Sequence, residues 1–247
     1  MNVTITGPNI YYRIPIFGGI DITASMVNGW VIVALIAGLC YWLGRGLTVD
    51  HISKKQAVAE LLVNTCQNFV NGNMGERYAH FAPFIGAMFS LSAFCSLSSL
   101  VGAFPATSNL STLLAWALLV FVMITATKIK AGGFGGYLKG FTEPIAVFTP
   151  FNIISELATP VSMAFRHFGN IMSGGVINTL VYAALAVASS ALFGWLPGFL
   201  GKIPYLQVGL PAILSVYFDL FSSLMQAFIF CMLTMLYIAN AAQADEE

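Results

Sequence analysis

Residues 151–191 read FNIISELATPVSMAFRHFGNIMSGGVINTLVYAALAVASSA. Apart from Pro160 the pattern is helical throughout, and Glu156 and Arg166 are its only charges. Roughly forty helical residues extend about 60 Å, twice the hydrocarbon thickness of about 30 Å. Such a helix must tilt, bend within a bilayer or run beyond it.

The surrounding chain suits that setting. Of 247 residues 58% are hydrophobic and only 8% charged, against about 25% charged in soluble domains. No charge lies between His80 and Lys128, His167 and Lys202, Lys202 and Asp219, or Asp219 and Asp245, and about 20 apolar residues cross a bilayer. The expected fold is an all-α integral membrane protein, one membrane domain over 1–247, with about five crossing helices and one amphipathic surface helix. Ten Lys and Arg balance ten Asp and Glu, leaving no basic excess to hold nucleic acid. The cysteines Cys40, Cys66, Cys95 and Cys231 form no C-x-x-C pair and read as core hydrophobes. His51, His80 and His167 show neither H-x-x-H nor H-x-x-x-H spacing, so neither a metal site nor a cofactor is expected.

Along the chain, 1–25 has no signal-peptide h-region and is expected outside the membrane. The first span is 26–44, and 45–78 carries seven charges with Ile52, Val58, Leu62, Cys66 and Phe69 at helical spacing, the pattern of a surface helix. Spans at 81–104 and 110–127 are expected to form a tight hairpin about Pro105–Asn109. Residues 128–150, with three lysines and the run Gly132–Gly136, read as a cytoplasmic loop; the run lacks the G-K-[ST] of a phosphate loop. Then come the long helices 151–191 and 205–242, antiparallel to each other and tilted. Arg45, Lys54, Lys55, Arg77, Lys128, Lys130 and Lys139 gather on one side, which puts the N-terminus outside and the C-terminal tail in the cytoplasm.

Ser155, Thr159, Ser162, Arg166, Asn170 and Ser173 share one helical face. An arginine at mid-membrane costs at least about 2.5–3.5 kcal/mol on insertion scales. A small-residue packing face would explain the serines but not Arg166 with Asn170. The last helix repeats the device with Ser215, Asp219, Ser222 and Gln226 at i, i+4, i+7 and i+11. Asp219 in lipid must pair, reach water or exchange protons; a plain Arg166 to Asp219 salt bridge would leave the other polar residues without a purpose. With Glu156 near the cytoplasmic end, Arg166 near the middle and Asp219 in the outer half, two offset half-channels with a fixed cation between them are expected. This chain has no carrier carboxylate for the gap, which implies a partner subunit with a membrane acid. A self-contained secondary transporter with a mid-membrane Arg/Asp site is the alternative, although no internal repeat supports it.

Arg166-His-Phe-Gly-Asn170 resembles the R-L-F-G-N signature of subunit a of rotary F-type ATP synthases, and Gln226-AFIFCMLTMLYIAN-Ala241 is similar to that family's final-helix motif, Q-A-F-I-F followed by L-T-x-x-Y. Ser99-Leu-Val-Gly102 with Pro105 resembles its N-L-x-G-x-x-P segment, with serine for asparagine. The resemblance implies a stator channel without a nucleotide site, not an enzyme on its own. It implies the plasma (inner) membrane of a bacterium, and as partners the c-subunit ring, b-type peripheral stalk subunits, the other synthase subunits and the lipid bilayer. It carries the barrier role to Arg166 and the motif positions to Asn170 and Gln226. Many members have an acid or histidine nine residues after the arginine, where this chain has Gly175; members without it often place a carboxylate seven residues before the glutamine. Asp219 stands there, which implies an ion relay of the outer half-channel. His167 replaces the usual leucine, and relay and helix-facing readings both stand.

Overall fold

A computed structural model describes residues 8–15, 19–49, 53–142, 145–195, 205–207, 214 and 216–243, without the side chains of Ile20, Phe218, Asp219, Ala242 and Gln243. Ser215, the Pro197 break and the acidic tail at 245–247 lie outside the described residues.

The chain opens with an antiparallel hairpin that the sequence reading did not anticipate: β1 (Ile10–Ile14) pairs with β2 (Ile20–Thr23). Arg13 faces Asp21 across it, Nε to Oδ1 at 3.2 Å. Helix α1 (Ala24–Gly44) follows directly and buries only Ser25 and Ile32, leaving Trp30, Leu35, Tyr41 and Trp42 exposed. Such an apolar surface suits lipid contact.

Helix α2 spans Lys54–Met74, nine residues later than the expected start at 45. Its start is set by Ser53, whose side chain accepts from the Gln56 N–H at 3.2 Å. Its end is set by Gly75 at φ 86°, a backbone that L side chains rarely adopt. The expected single apolar stripe divides along the helix. Cys66, Phe69, Val70 and Met74 enter the core, whereas Val58 and Leu62 are exposed. Gly86 permits the close approach, since a Cβ there would meet the Cys66 sulfur at 2.9 Å.

Helix α3 (Ala82–Leu97) is extended by a 3-10 turn, Ser98–Val101, and stopped by left-handed Gly102. Helix α4 starts at Leu110 after the short turn Ala106–Ser108. The expected tight hairpin is corrected here: α3 and α4 diverge from this turn and both pack on the final helix. The expected loop 128–150 is corrected too. Helical backbone continues to Thr142 and bends only at Gly133, φ 71° and ψ 170°, and a 3-10 turn at Ala146–Phe148 leads into the next helix. One glycine supplies the bend and the rest stay helical, because a helix satisfies its own backbone whether or not lipid surrounds it.

Helix α5 (Thr149–Phe193) has 45 residues and passes through Pro160 without a break. Pro160 is buried against its neighbours, the condition under which a membrane helix tolerates proline. The last segment has a π-helical turn, Val216–Phe221, running into α6 (Ser222–Gln243). Of the expected helix from 205, Tyr205–Gln207 form a 3-10 turn and Leu214 is helical, while 208–213 and 215 lie outside the described residues.

Helix α6 is the hub and touches α2, α3, α4 and α5. Phe230, Cys231, Met235 and Ile238 are inaccessible or nearly so, and they meet Val70, Ile85, Met88, Val120, Ile124 and Met163. Helix α5 runs antiparallel to both neighbours. On α4, Leu113 and Ala117 meet Ala164 while Lys128 meets Glu156; on α6, Ser222 meets Asn170 while Tyr237 lies by Thr159. Among the described residues five helices are long and apolar enough to cross a membrane, and the chain is an all-α multi-pass membrane protein.

Truncating the hub is expected to be costly. Phe230→Ala, at a 1% exposed position, should destabilise the chain in bilayer nanodiscs by about 3–5 kcal/mol. Leu236→Ala, on the exposed side of the same helix, should stay within about 0.5 kcal/mol in the same unfolding measurement.

Candidate functional site

Helix α5 carries the expected polar residues on one continuous helix, but burial divides them. Ser155, Ser162, Arg166 and Ser173 are exposed, whereas Thr159 and Asn170 are half-buried toward α6. The side of α5 that packs is different: Pro160, Met163, Ala164, His167 and Gly174. The serines therefore do not serve as the packing face of this chain. Arg166 lies in the outward stripe and makes no ion pair or hydrogen bond to a described side chain. Gly175 is also exposed, and a Cβ there would meet nothing within 4 Å.

Asn170 anchors the stripe to α6. Ser222 Oγ donates to Asn170 Oδ1 at 2.9 Å, and Asn170 Nδ2 reaches the Ser222 carbonyl at 3.5 Å. This link holds the start of α6 one helical turn from Arg166. The π-helical turn that bears Asp219 ends at the residue before Ser222, and it packs on α5, on α3 and on the Ser98–Val101 turn. A π-helical turn widens the helix by one residue and recurs at functional sites. Gln226, one turn beyond Ser222, is buried at 6% exposure.

His167 points away from this stripe, into the bundle, and is fully buried. Its Nε2 lies 3.4 Å from Ser92 Oγ and its ring stands edge-on to Phe230 at 5.9 Å. Its Nδ1 has no described partner. The helix-facing reading of His167 is the one the packing supports.

At the opposite end of the stripe a second polar group forms. Lys128 Nζ donates to Glu156 Oε1 at 2.8 Å and Oε2 at 2.6 Å. Lys128 is 31% and Glu156 15% exposed at the side chain, so the pair is largely screened from solvent. It lines a partly open cavity of about 170 Å³ with Thr159, Tyr237 and Asn240. Thr159 Oγ1 donates to the Ser155 carbonyl at 3.1 Å, and Asn152 Nδ2 to the Phe141 carbonyl at 2.9 Å, tying the start of α5 to α4. Sequence reasoning had Glu156 but assigned Lys128 to a loop and did not single out Asn240. The pair joins residues 28 apart on two helices, and only the antiparallel packing of α4 on α5 brings them together. Among the described residues no three His, Cys, Asp or Glu side chains come together as a metal site.

Against known proteins, residues 26–239 match the family model described as "ATP synthase A chain". The chain is 31% identical to "ATP synthase subunit a 1" of Chlorobaculum parvum, covering 93% of each protein. It is 29% identical to "ATP synthase subunit a 1" of Chlorobium luteolum over 93% of this chain and 94% of that one. It is 28% identical to "ATP synthase subunit a, sodium ion specific" of Propionigenium modestum, over 90% of this chain and 75% of that one.

The Asn170 to Ser222 link is expected to show in a double-mutant cycle. Asn170→Ala and Ser222→Ala should couple by about 0.6 kcal/mol, the average for interhelical hydrogen bonds in membranes. Unfolding in nanodiscs measures it, and strict additivity would contradict the bond.

Proposed function

The chain belongs to the ATP synthase A chain family, and we propose that it is the stator ion channel of a rotary F-type ATP synthase, passing protons or sodium ions to and from a rotating ring of c subunits. The observation that carries the reading is Arg166, held on an exposed polar stripe of α5 between a polar cavity at one end and the Asp219 turn at the other. A lone guanidinium is too costly to leave against lipid. An outward position suits a partner whose membrane carboxylate visits it.

Ions enter one half-channel, transfer to the ring carboxylate, travel with the ring and leave by the other half-channel. Arg166 blocks the direct route between the halves, because a cation in its field is repelled. Glu156, Ser155 and Thr159 belong to the inner path; Asp219, Asn170, Ser173, Ser222 and Gln226 to the outer, with Ser162 beside Arg166. Ser215 is proposed with the outer group on sequence alone. The chain itself makes and breaks no bond and holds no nucleotide; catalysis belongs to other subunits of the complex, and b-type stalk subunits hold this one against rotation. The setting is the bacterial plasma membrane, N-terminus outside and C-terminus cytoplasmic, which the lysine and arginine distribution supports. The relative from Propionigenium modestum is named as sodium ion specific, so sodium is within the family's range.

ATP-driven ion uptake into vesicles holding the purified complex tests this. Arg166→Ala should abolish uptake while the complex remains assembled; intact uptake would refute the channel reading. Asp219→Asn should slow uptake by about 100- to 10,000-fold, the range of a lost proton-transfer group; an unchanged rate across pH would remove Asp219 from the path.

A further inference from the structure

We propose that Lys128, tied to Glu156, makes the cavity between α4, α5 and α6 a proton entrance closed to Na+; this rests on the ion-channel reading above.

Among the described residues the cavity wall holds one carboxylate, and the Lys128 ammonium occupies both of its oxygens, at 2.6 and 2.8 Å. The remaining polar wall is neutral: Thr159, Tyr237 and Asn240. Phe121 and Ile124 supply an apolar wall. A sodium ion passing such a place must exchange its hydration shell for protein oxygens, and it needs a counter-charge. The one counter-charge among the described lining residues is already neutralised. Na+ would therefore have to displace the ammonium from both oxygens or sit beside a like charge, and the low-dielectric surroundings strengthen that repulsion.

A proton carries the same charge, but it has no hydration shell to exchange for protein oxygens and does not have to displace the ammonium. It moves as a rearrangement of hydrogen bonds along water and hydroxyl groups, and about 170 Å³ has room for several waters. The Thr159 and Tyr237 hydroxyls and the Asn240 amide can order those waters without giving up a charge. Lys128 is thus a positioning residue: it fixes the Glu156 carboxylate at the cavity wall and occupies the place that a metal cation would take. It does not itself carry the ion.

The assembled complex in sealed vesicles gives the test, with proton uptake followed by a dye and sodium uptake by radioactive sodium. The wild type should take up protons, should take up no sodium, and should keep its rate when sodium chloride is added on the ATP side. Lys128→Met bares the carboxylate. Its proton uptake should become half-inhibited at a sodium concentration at least about tenfold below any that slows the wild type, one decade in affinity for Na+. Lys128→Arg keeps the latch and should behave as the wild type. Sodium-insensitive uptake by Lys128→Met would overturn the proposal. So would Arg166-dependent sodium uptake by the wild type, a result that leaves the channel reading standing and that decides the question even where Lys128→Met fails to assemble. Absence of uptake of either ion by a sealed, assembled wild type would instead overturn the channel reading and this proposal with it.

Discussion

A charged group in hydrocarbon has to find a partner, water or a way out, and the place of Arg166 is the constraint on which the rest of this molecule turns. The bundle does not bury it. Met163, Ala164 and His167, its neighbours along α5, go inward, and Arg166 is left on the outside with Ser162 and Ser173. An inward arginine would need a carboxylate inside the bundle, where the described buried positions of α6 are apolar, such as Phe230, Met235 and Ile238, or neutral, as Ser223, Gln226 and Thr234. Packing that tight leaves no room for a guanidinium, and the polar stripe is thereby committed to whatever lies outside this chain.

The two ends of the stripe are treated differently. At one end Glu156 is neutralised within the chain by Lys128, a short pair largely screened from solvent. Removing either member of such a pair leaves an uncompensated charge, which costs far more than the pair contributes as a whole. At the other end Asn170 and Ser222 exchange neutral hydrogen bonds, and the helix loosens into a π turn at the residues around Asp219. The first end depends on α5 running antiparallel to α4, the second on α5 running antiparallel to α6. Helix α6 enforces that by filling the space among α2, α3, α4 and α5.

Much of this was legible in the chain. The uncharged runs mark the crossing helices, since lipid tolerates few alternatives, and the period of 3.6 puts Ser155 through Ser173 on one face. Periodicity does not say which face meets the bundle, however, so the exposure of Ser162 and the burial of His167 required packing to decide. Residues 128–142 misled for a related reason: lysines and glycines look like a hydrated loop, yet a helix leaving the membrane can continue in water, and only Gly133 bends it. The hairpin Ile10–Thr23 is too short for its alternation to stand out from turn residues. The Lys128 to Glu156 pair joins residues 28 apart in sequence, a contact no local pattern reveals.

The central claim is that the Arg166 stripe is the surface that meets the ion-carrying ring. Cysteine cross-linking in native membranes addresses it directly, pairing a cysteine beside the ring's membrane carboxylate with single cysteines along α5. Ser162→Cys and Ser173→Cys should form a disulfide to the ring, and Met163→Cys and Gly174→Cys, which face the bundle, should not. Cross-links from the bundle-facing pair alone, with none from the stripe, would contradict the account.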